Sequence, residues 1–476
     1  MGQVEVVGIP ALAPVLVRGV PAPVPVVAGK NILKMLSNKV KALFYKNPVL
    51  KIPDTGVYHF LKGENGNSSR LHLRIDADGS GILLINANQI FHLNPSATLF
   101  TYFHLNSIPV SDALSVIKKQ FAAQNSELVH DFELTQQMID QLINDEACPI
   151  CDLNLEINAP FSSIPSAPYR MDLALTYRCN NACSHCYNAR SRNYPEINTD
   201  KWFSIIDKLW EIGIPHLVFT GGEPTLRDDL PDLIRYAEAK GQITGLNTNA
   251  RRLADERYIE ELTNAGLDHM QITFESIDAS VHDEMVCHAG AWQETLAGLK
   301  QALAHHKYVM TNTTMLKTNV TSIPDTLKFL GDLGVKTMGL NALIYSGHGK
   351  TVGTGLSEAE LYPLLESAKT ITESYGQKLI WYTPTQYCNF DPVEHNLGVK
   401  GCTAALYNMC IEPNGDVLPC QSYYEPLGNL LANEWDLIWN HDLAKSLRER
   451  KWISDKCSDC SLVSECGGGC PLSALS

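Results

Sequence analysis

No run of this sequence approaches the ~18 consecutive apolar residues that a membrane-spanning helix needs. Basic charge is also in short supply. Lys and Arg number 38 against 52 Asp and Glu, a net charge of −14, which argues against nucleic-acid binding as the main task. The first residues lack a secretory pattern: Pro10, Pro14, Pro21, Pro23 and Pro25 interrupt them and no basic region precedes them, so a cytoplasmic location is expected. Cysteine runs the other way. Fourteen is a high count for a cytoplasmic chain, where disulfides are disfavoured and clustered cysteines point to metal or redox chemistry. They fall at 148/151, 179/183/186, 402/410/420 and 457/460/466/470, with Cys287 and Cys388 alone.

The 476 residues suffice for two to four domains. Residues 1–53 read as a Pro/Val-rich arm followed by a basic amphipathic helix over 31–46, with Ile32, Leu36, Val40 and Leu43 on one face. This segment holds seven Lys/Arg against Glu5, which leaves −20 on the remainder. Packing on the chain's own acidic body is the favoured reading of the helix, and contact with an anionic membrane surface or an acidic partner is the alternative. Residues 54–147 form a small unit. Leu71, Leu73 and Ile75 alternate with polar residues, Asp78-Gly79 supplies a turn, and 82–85 can return as the second strand of a hairpin. Asn94-Pro95 then opens the first of three helices, near 95–105, 109–123 and 128–145, a winged-helix-like α+β order. A proline-rich linker over 148–168 carries Cys148 and Cys151, either half a metal site, a spare pair of cluster ligands or two ordinary thiols.

From 169 to 395, strands expected at 171–176, 216–219, 243–248, 269–274, 309–315 and 336–341 alternate with helices such as 199–212 and 254–265. That alternation implies a parallel sheet with right-handed crossovers. Six such units make an α/β fold, a partial (β/α)6 TIM-type barrel, whose site belongs at the C-terminal strand ends. Residues 396–476 differ in texture and form a cysteine-rich end in which Asn414-Gly415 signals a hairpin.

Cys179, Cys183 and Cys186 lie directly after the first barrel strand with spacing C-x3-C-x2-C. Three thiolates can hold three irons of a cubane, where an electron-carrying 4Fe–4S cluster normally has four, so one iron is left open for a substrate or cofactor. A zinc site is the rival reading of the run taken alone. Thr220-Gly221-Gly222-Glu223-Pro224 follows the second strand, with glycines that let backbone approach a ligand closely.

Together these two motifs resemble the radical S-adenosylmethionine (radical SAM) superfamily. The resemblance implies that the three cysteines bind a catalytic 4Fe–4S cluster and that Thr220 to Pro224 bind the methionine amino end of S-adenosylmethionine. It implies that His185 stands beside the adenine, and that Asn247 and Glu275, at later strand ends, bind ribose or carboxylate. The C-terminal cysteines resemble the SPASM extension, which implies one or two auxiliary 4Fe–4S clusters. Cys402, Cys420 and Cys470, with Cys410 as fourth ligand, would hold the first, and Cys457, Cys460 and Cys466 the second. The pattern departs from the family at its end, where the region holds seven cysteines and two full clusters need eight. Cys388, Cys148, Cys151, a non-cysteine ligand or an open site are the alternatives. Residues 54–147 resemble the peptide-binding domain of pyrroloquinoline-quinone biosynthesis, a leader-peptide recognition element that binds peptide by strand addition.

The function implied is reductive cleavage of S-adenosylmethionine to a 5′-deoxyadenosyl radical, which modifies a ribosomally made peptide or protein by hydrogen-atom abstraction. A reductase, flavodoxin or ferredoxin would donate the electron. The alternatives are an enzyme acting on a tetrapyrrole or other small cofactor precursor and, less favoured, a non-enzymatic cluster carrier.

Overall fold

The computed structural model describes residues 7–8, 50–62, 69–86, 89–121, 124–144, 156–157, 165–188, 190–306, 308–457 and 459–474. The expected helix over 31–46, Cys148 and Cys151 lie outside the described residues. The chain divides into two compact units, one drawn mainly from 7–85 and 91–157 and the other mainly from 158–476.

The N-terminal unit is a four-stranded sheet with three helices. Strands β1 (Gly56–Lys62), β2 (Ser69–Ile75), β3 (Gly81–Ile85) and β4 (Gln89–Leu93) lie in that order. The β1/β2 and β2/β3 pairs are antiparallel, with Tyr58 opposite Leu73 and Leu73 opposite Leu83. The hairpin expected from the alternation is β2–β3. Its turn closes through Asp76 N–H to Ser80 O at 2.8 Å and Ser80 N–H to Asp78 Oδ1 at 2.9 Å. The outer strands β1 and β4 add to it and had no clear alternation in sequence. Helix α1 (Pro95–Leu105) starts as its chemistry dictates: Asn94 Oδ1 accepts from Ala97 N–H at 2.9 Å, and Pro95 sits where no donor is needed. Helices α2 (Val110–Ile117) and α3 (Asn125–Asn144) complete the unit. Leu71, Leu73, Leu83, Ile85 and Phe91 pack against Met138, Ile139 and Leu142 of α3 in one apolar cluster.

The C-terminal unit is built on seven parallel strands in chain order: β5 (Arg170–Thr176), β6 (His216–Gly221), β7 (Ile243–Thr248), β8 (His269–Thr273), β9 (Val309–Thr314), β10 (Thr337–Asn341) and β11 (Lys378–Trp381). Helices connect them, including α4 (Thr199–Ile212), α5 (Leu230–Lys240), α6 (Glu256–Asn264), α7 (Ala279–Val286), α8 (Ala291–His305), α9 (Ile323–Asp332) and α10 (Glu358–Ser374). The six expected barrel strands are all present, and β11 is a seventh. Beyond β5 the sheet continues through β12 (Asn408–Ile411), parallel to β5, and the antiparallel β13 (Asp416–Leu418) and β14 (Gly428–Asn429). The β12–β13 hairpin turns at Asn414-Gly415, where Gly415 has φ +92°.

Strand alternation sorts side chains to two faces. One face, with Met171, Leu173, Phe219, Leu246, Met270, Ile272, Leu340 and Trp381, packs under the helices in the main core. The other bears Arg170, Thr220, Asn247, Gln271, Thr273, Asn312 and Asn341 and lines a cavity. A polar inner face is unusual in a parallel sheet, whose strands are normally apolar on both sides. It marks the interior as a ligand site.

Candidate active site

The cysteine loop leaves the C-terminal end of β5 and is pinned from several sides. Ala182 N–H donates to Val286 O at 3.0 Å and Ser184 N–H to Met285 O at 2.9 Å, which ties the loop to the end of α7. Arg192 donates to Tyr177 O at 2.9 Å and to Asn181 O at 3.0 Å. Arg251 donates to Asn180 O at 2.6 Å and to Asn181 Oδ1 at 2.9 Å. An irregular loop held by this many charge-assisted bonds keeps its three thiols in place before any ligand arrives.

The glycine pair serves the same loop. Gly222 N–H donates to Thr176 O at 2.7 Å and Glu223 N–H to Arg178 O at 2.8 Å. Gly221 has φ +130°, and a Cβ there would overlap Thr176 O; one on Gly222 would overlap Arg178 O and Tyr177 O. Only glycine lets this turn approach the backbone that leads into Cys179.

Glu223 is fully buried and both carboxylate oxygens are used within the protein. Oε1 accepts from the Thr225 hydroxyl and the Thr248 hydroxyl, each at 2.7 Å, and Oε2 from Asn249 N–H at 2.8 Å. Burial nevertheless pushes its pKa above the ordinary value, opposed by these bonds. The carboxylate therefore stitches the end of β6 to the end of β7. Pro224 is buried in the short turn that follows, away from the cavity wall.

His185 reaches across to the end of β8, with Nε2 3.1 Å from Glu275 Oε1. Glu275 is fully buried, and its Oε2 accepts from Thr314 N–H at 2.9 Å. Both oxygens are thus engaged, so Glu275 orients His185 as it faces the cavity.

Cys179, Cys183, His185, Cys186, Thr220, Gly221, Gly222, Glu223, Asn247 and Glu275 all line one cavity of about 350 Å³. Cys402, Cys420 and Cys470 line it as well. Cys410 is elsewhere. It is 1% exposed and sits in an apolar cluster with Ala174, Tyr177 and Leu418, because its place on β12 turns it to that side. Cys457, Cys460 and Cys466 do not reach this cavity. Asn312 and Asn341, on β9 and β10, were not singled out from sequence. Their signal was an amide amid strands that should be apolar.

The donor set suits iron–sulfur clusters and a polar cofactor. Burial raises the thiol pKa of Cys183 well above its ordinary value, with Cys186 and Glu275 adding to it. Burial likewise pushes Cys420 up to about 12. Thiols so placed ionise only where a strong positive charge replaces water, which bound iron supplies. Among the described residues no three His, Cys, Asp or Glu side chains close on a single metal ion. The cavity wall also carries buried polar atoms with no hydrogen-bond partner among the described residues: His185 Nδ1, His282 Nε2, Asn312 Oδ1 and Asn341 Oδ1. Buried polar atoms are normally paired, so these fit a ligand rich in donors and acceptors.

The family model described as the radical SAM superfamily matches residues 173–341, and that of the SPASM iron–sulfur cluster-binding domain matches 402–461. A PqqA peptide cyclase of Bradyrhizobium diazoefficiens is 28% identical over 323 residues, 65% of this chain and 82% of that protein. An AdoMet-dependent heme synthase of Methanosarcina barkeri is 26% identical over 323 residues, 64% of this chain and 92% of that one. Among solved structures, Streptococcus suis SuiB bound to its precursor peptide SuiA superposes with a TM-score of 0.64 at 18% identity, covering 87% of this chain and 96% of that one.

Proposed function

We propose that this chain, a radical SAM enzyme with a SPASM iron–sulfur domain, modifies a ribosomally made peptide by hydrogen-atom abstraction. The observation that carries the reading is the extent of likeness to SuiB, a protein solved with its precursor peptide bound. It covers 87% of this chain, whereas residues 165–476 amount to only about two thirds. The likeness therefore extends into the N-terminal sheet unit. The outer edge of β1, which pairs on one side only among the described residues, offers a strand to which an extended leader can add.

In this reading Cys179, Cys183 and Cys186 hold the catalytic 4Fe–4S cluster, and Cys402, Cys420 and Cys470 an auxiliary one. Cys457, Cys460 and Cys466 hold a second. When bound, the catalytic cluster and S-adenosylmethionine supply one-electron cleavage of the sulfonium bond and the 5′-deoxyadenosyl radical. The chain's own residues bind and orient. Thr220, Gly221 and Gly222 offer backbone to the methionine end, Asn247 and His185 offer polar edges to ribose and adenine, and Glu275 holds the imidazole. Glu223 and Pro224 fix the turn. A flavodoxin, ferredoxin or reductase delivers the electron, and reduced thiols of this number favour the cytoplasm.

Likeness to the heme synthase keeps a second reading, a tetrapyrrole-modifying enzyme. The test uses the reconstituted full chain with S-adenosylmethionine, a reductant and any short peptide encoded beside its gene. A mass change in the peptide core, with one deoxyadenosine formed per change, is expected. An unchanged peptide together with conversion of a haem precursor would overturn the proposal.

A further inference from the structure

The second group of C-terminal cysteines has only three members in the motif, and a fully ligated 4Fe–4S cluster takes four thiolates. Resting on the cluster assignment above, we propose that Cys388 is the missing ligand.

Cys388 lies between β11 and β12, in neither of the segments matched by the family models, 173–341 and 402–461. Sequence spacing therefore could not attach it to the motif. The fold does. The turn that carries it packs on the glycine-rich turn after Cys466: Gln386 Nε2 donates to Gly468 O at 3.5 Å. Tyr387 N–H, the amide next to Cys388, donates to Cys466 Sγ at 3.4 Å. Such N–H···S bonds tune the potential of a cluster-bound sulfur. The Cys388 thiol is within electrostatic reach of both Cys466 and Cys457. Cys388, Cys466 and Cys457 thus lie within electrostatic reach of one another's turns, which hydrogen bonds hold together, and Cys460 lies one turn from Cys457, its N–H donating to Cys457 O at 3.2 Å.

The other spare thiols fit worse. Cys410 is enclosed in its apolar cluster, and Cys287 lies at the end of α7 on the catalytic loop's side. Cys388 and Cys460 are both exposed, and Cys457 and Cys466 partly so. The second cluster therefore sits near the surface, within reach of an external electron donor. Ligation replaces the S–H bond of Cys388 by an S–Fe bond and releases the proton to solvent.

The test is anaerobic iron and acid-labile sulfide counting on the reconstituted full chain, with electron paramagnetic resonance of the reduced clusters. Cys388→Ala is expected to lose the second auxiliary cluster's spectrum, or convert it to a three-iron form. At most it lowers iron from about twelve to about eight per chain. Retention of all iron and an unchanged spectrum in Cys388→Ala, while Cys457→Ala loses four irons, overturns this ligand assignment alone. No loss in either variant overturns the second cluster itself. Alkylation footprinting of the unmutated chain removes dependence on variant folding. Cys388 should be protected in the cluster-loaded chain and labelled in the iron-free chain, with exposed Cys287 labelled in both. Equal labelling of Cys388 and Cys287 in the loaded chain overturns the proposal.

Discussion

His185 Nε2 stands 3.1 Å from Glu275 Oε1, so a residue inside the cysteine loop is held by the strand end farthest along the barrel from it in chain order among the sequence-marked site residues. The pair joins the cluster loop to β8. It gives the completely buried Glu275 a partner inside the protein.

Glu275→Ala removes the acceptor for Thr314 N–H and frees the imidazole. A lost buried charged acceptor costs about 1–3 kcal/mol. Deoxyadenosine formation should fall roughly 10-fold or more with iron content unchanged, and Glu275→Gln should restore part of it. Chemical denaturation and single-turnover assays read the two effects separately.

Gly222→Ala forces a methyl group against Arg178 O and Tyr177 O. Because those carbonyls lead into Cys179, the loss should appear as iron missing from the catalytic cluster, with the auxiliary clusters intact. Iron counting beside deoxyadenosine assays checks it.

Cys410→Ala and the Cys402/Cys420 double alanine variant should part company. The first leaves the iron count unchanged and costs about 1 kcal/mol for a small buried cavity. The second loses the auxiliary cluster that faces the cavity. Equal iron loss in both would identify Cys410 as a ligand.

His216 and His269 meet Nε2 to Nε2 at 2.8 Å inside the barrel, and burial, with Arg170 adding, lowers the His269 pKa from its ordinary 6.5 to about 3. A depressed folded pKa contributes stability that is complete above 6.5 and is lost as pH falls toward 3. Between pH about 7.5 and 5.5 the apparent stability should drop by up to about 1.4 kcal/mol, and His269→Gln should flatten that slope. Melting temperatures at the two pH values check it.

Much of this was legible in the residues themselves. The C-x3-C-x2-C run and the Gly-Gly pair fell on strand ends because strand periodicity is strong where Met171, Leu173 and Leu175 alternate with inner residues. What was missed has physical reasons. Strands β1 and β4 have mixed exposure rather than clean alternation. Strand β11 is four residues long, too short for a period to register. The loop clamps Arg192 and Arg251 act on backbone carbonyls, which leave no sequence pattern. Cys410, expected as a ligand from the family resemblance, lies on β12 in an apolar cluster and within electrostatic reach of Cys420. Cys388 has the opposite history: spacing leaves it alone, and the turn that bears it lies against Cys466.

The central claim is that the thiols of Cys179, Cys183 and Cys186 hold the cluster that opens S-adenosylmethionine. Deoxyadenosine formation by reduced, reconstituted Cys183→Ala, with iron counted in the same sample, tests it most directly. The expected result is no deoxyadenosine above background and iron lowered from about twelve to no fewer than about eight per chain, the auxiliary clusters remaining. Deoxyadenosine formed at the unmutated rate would contradict it.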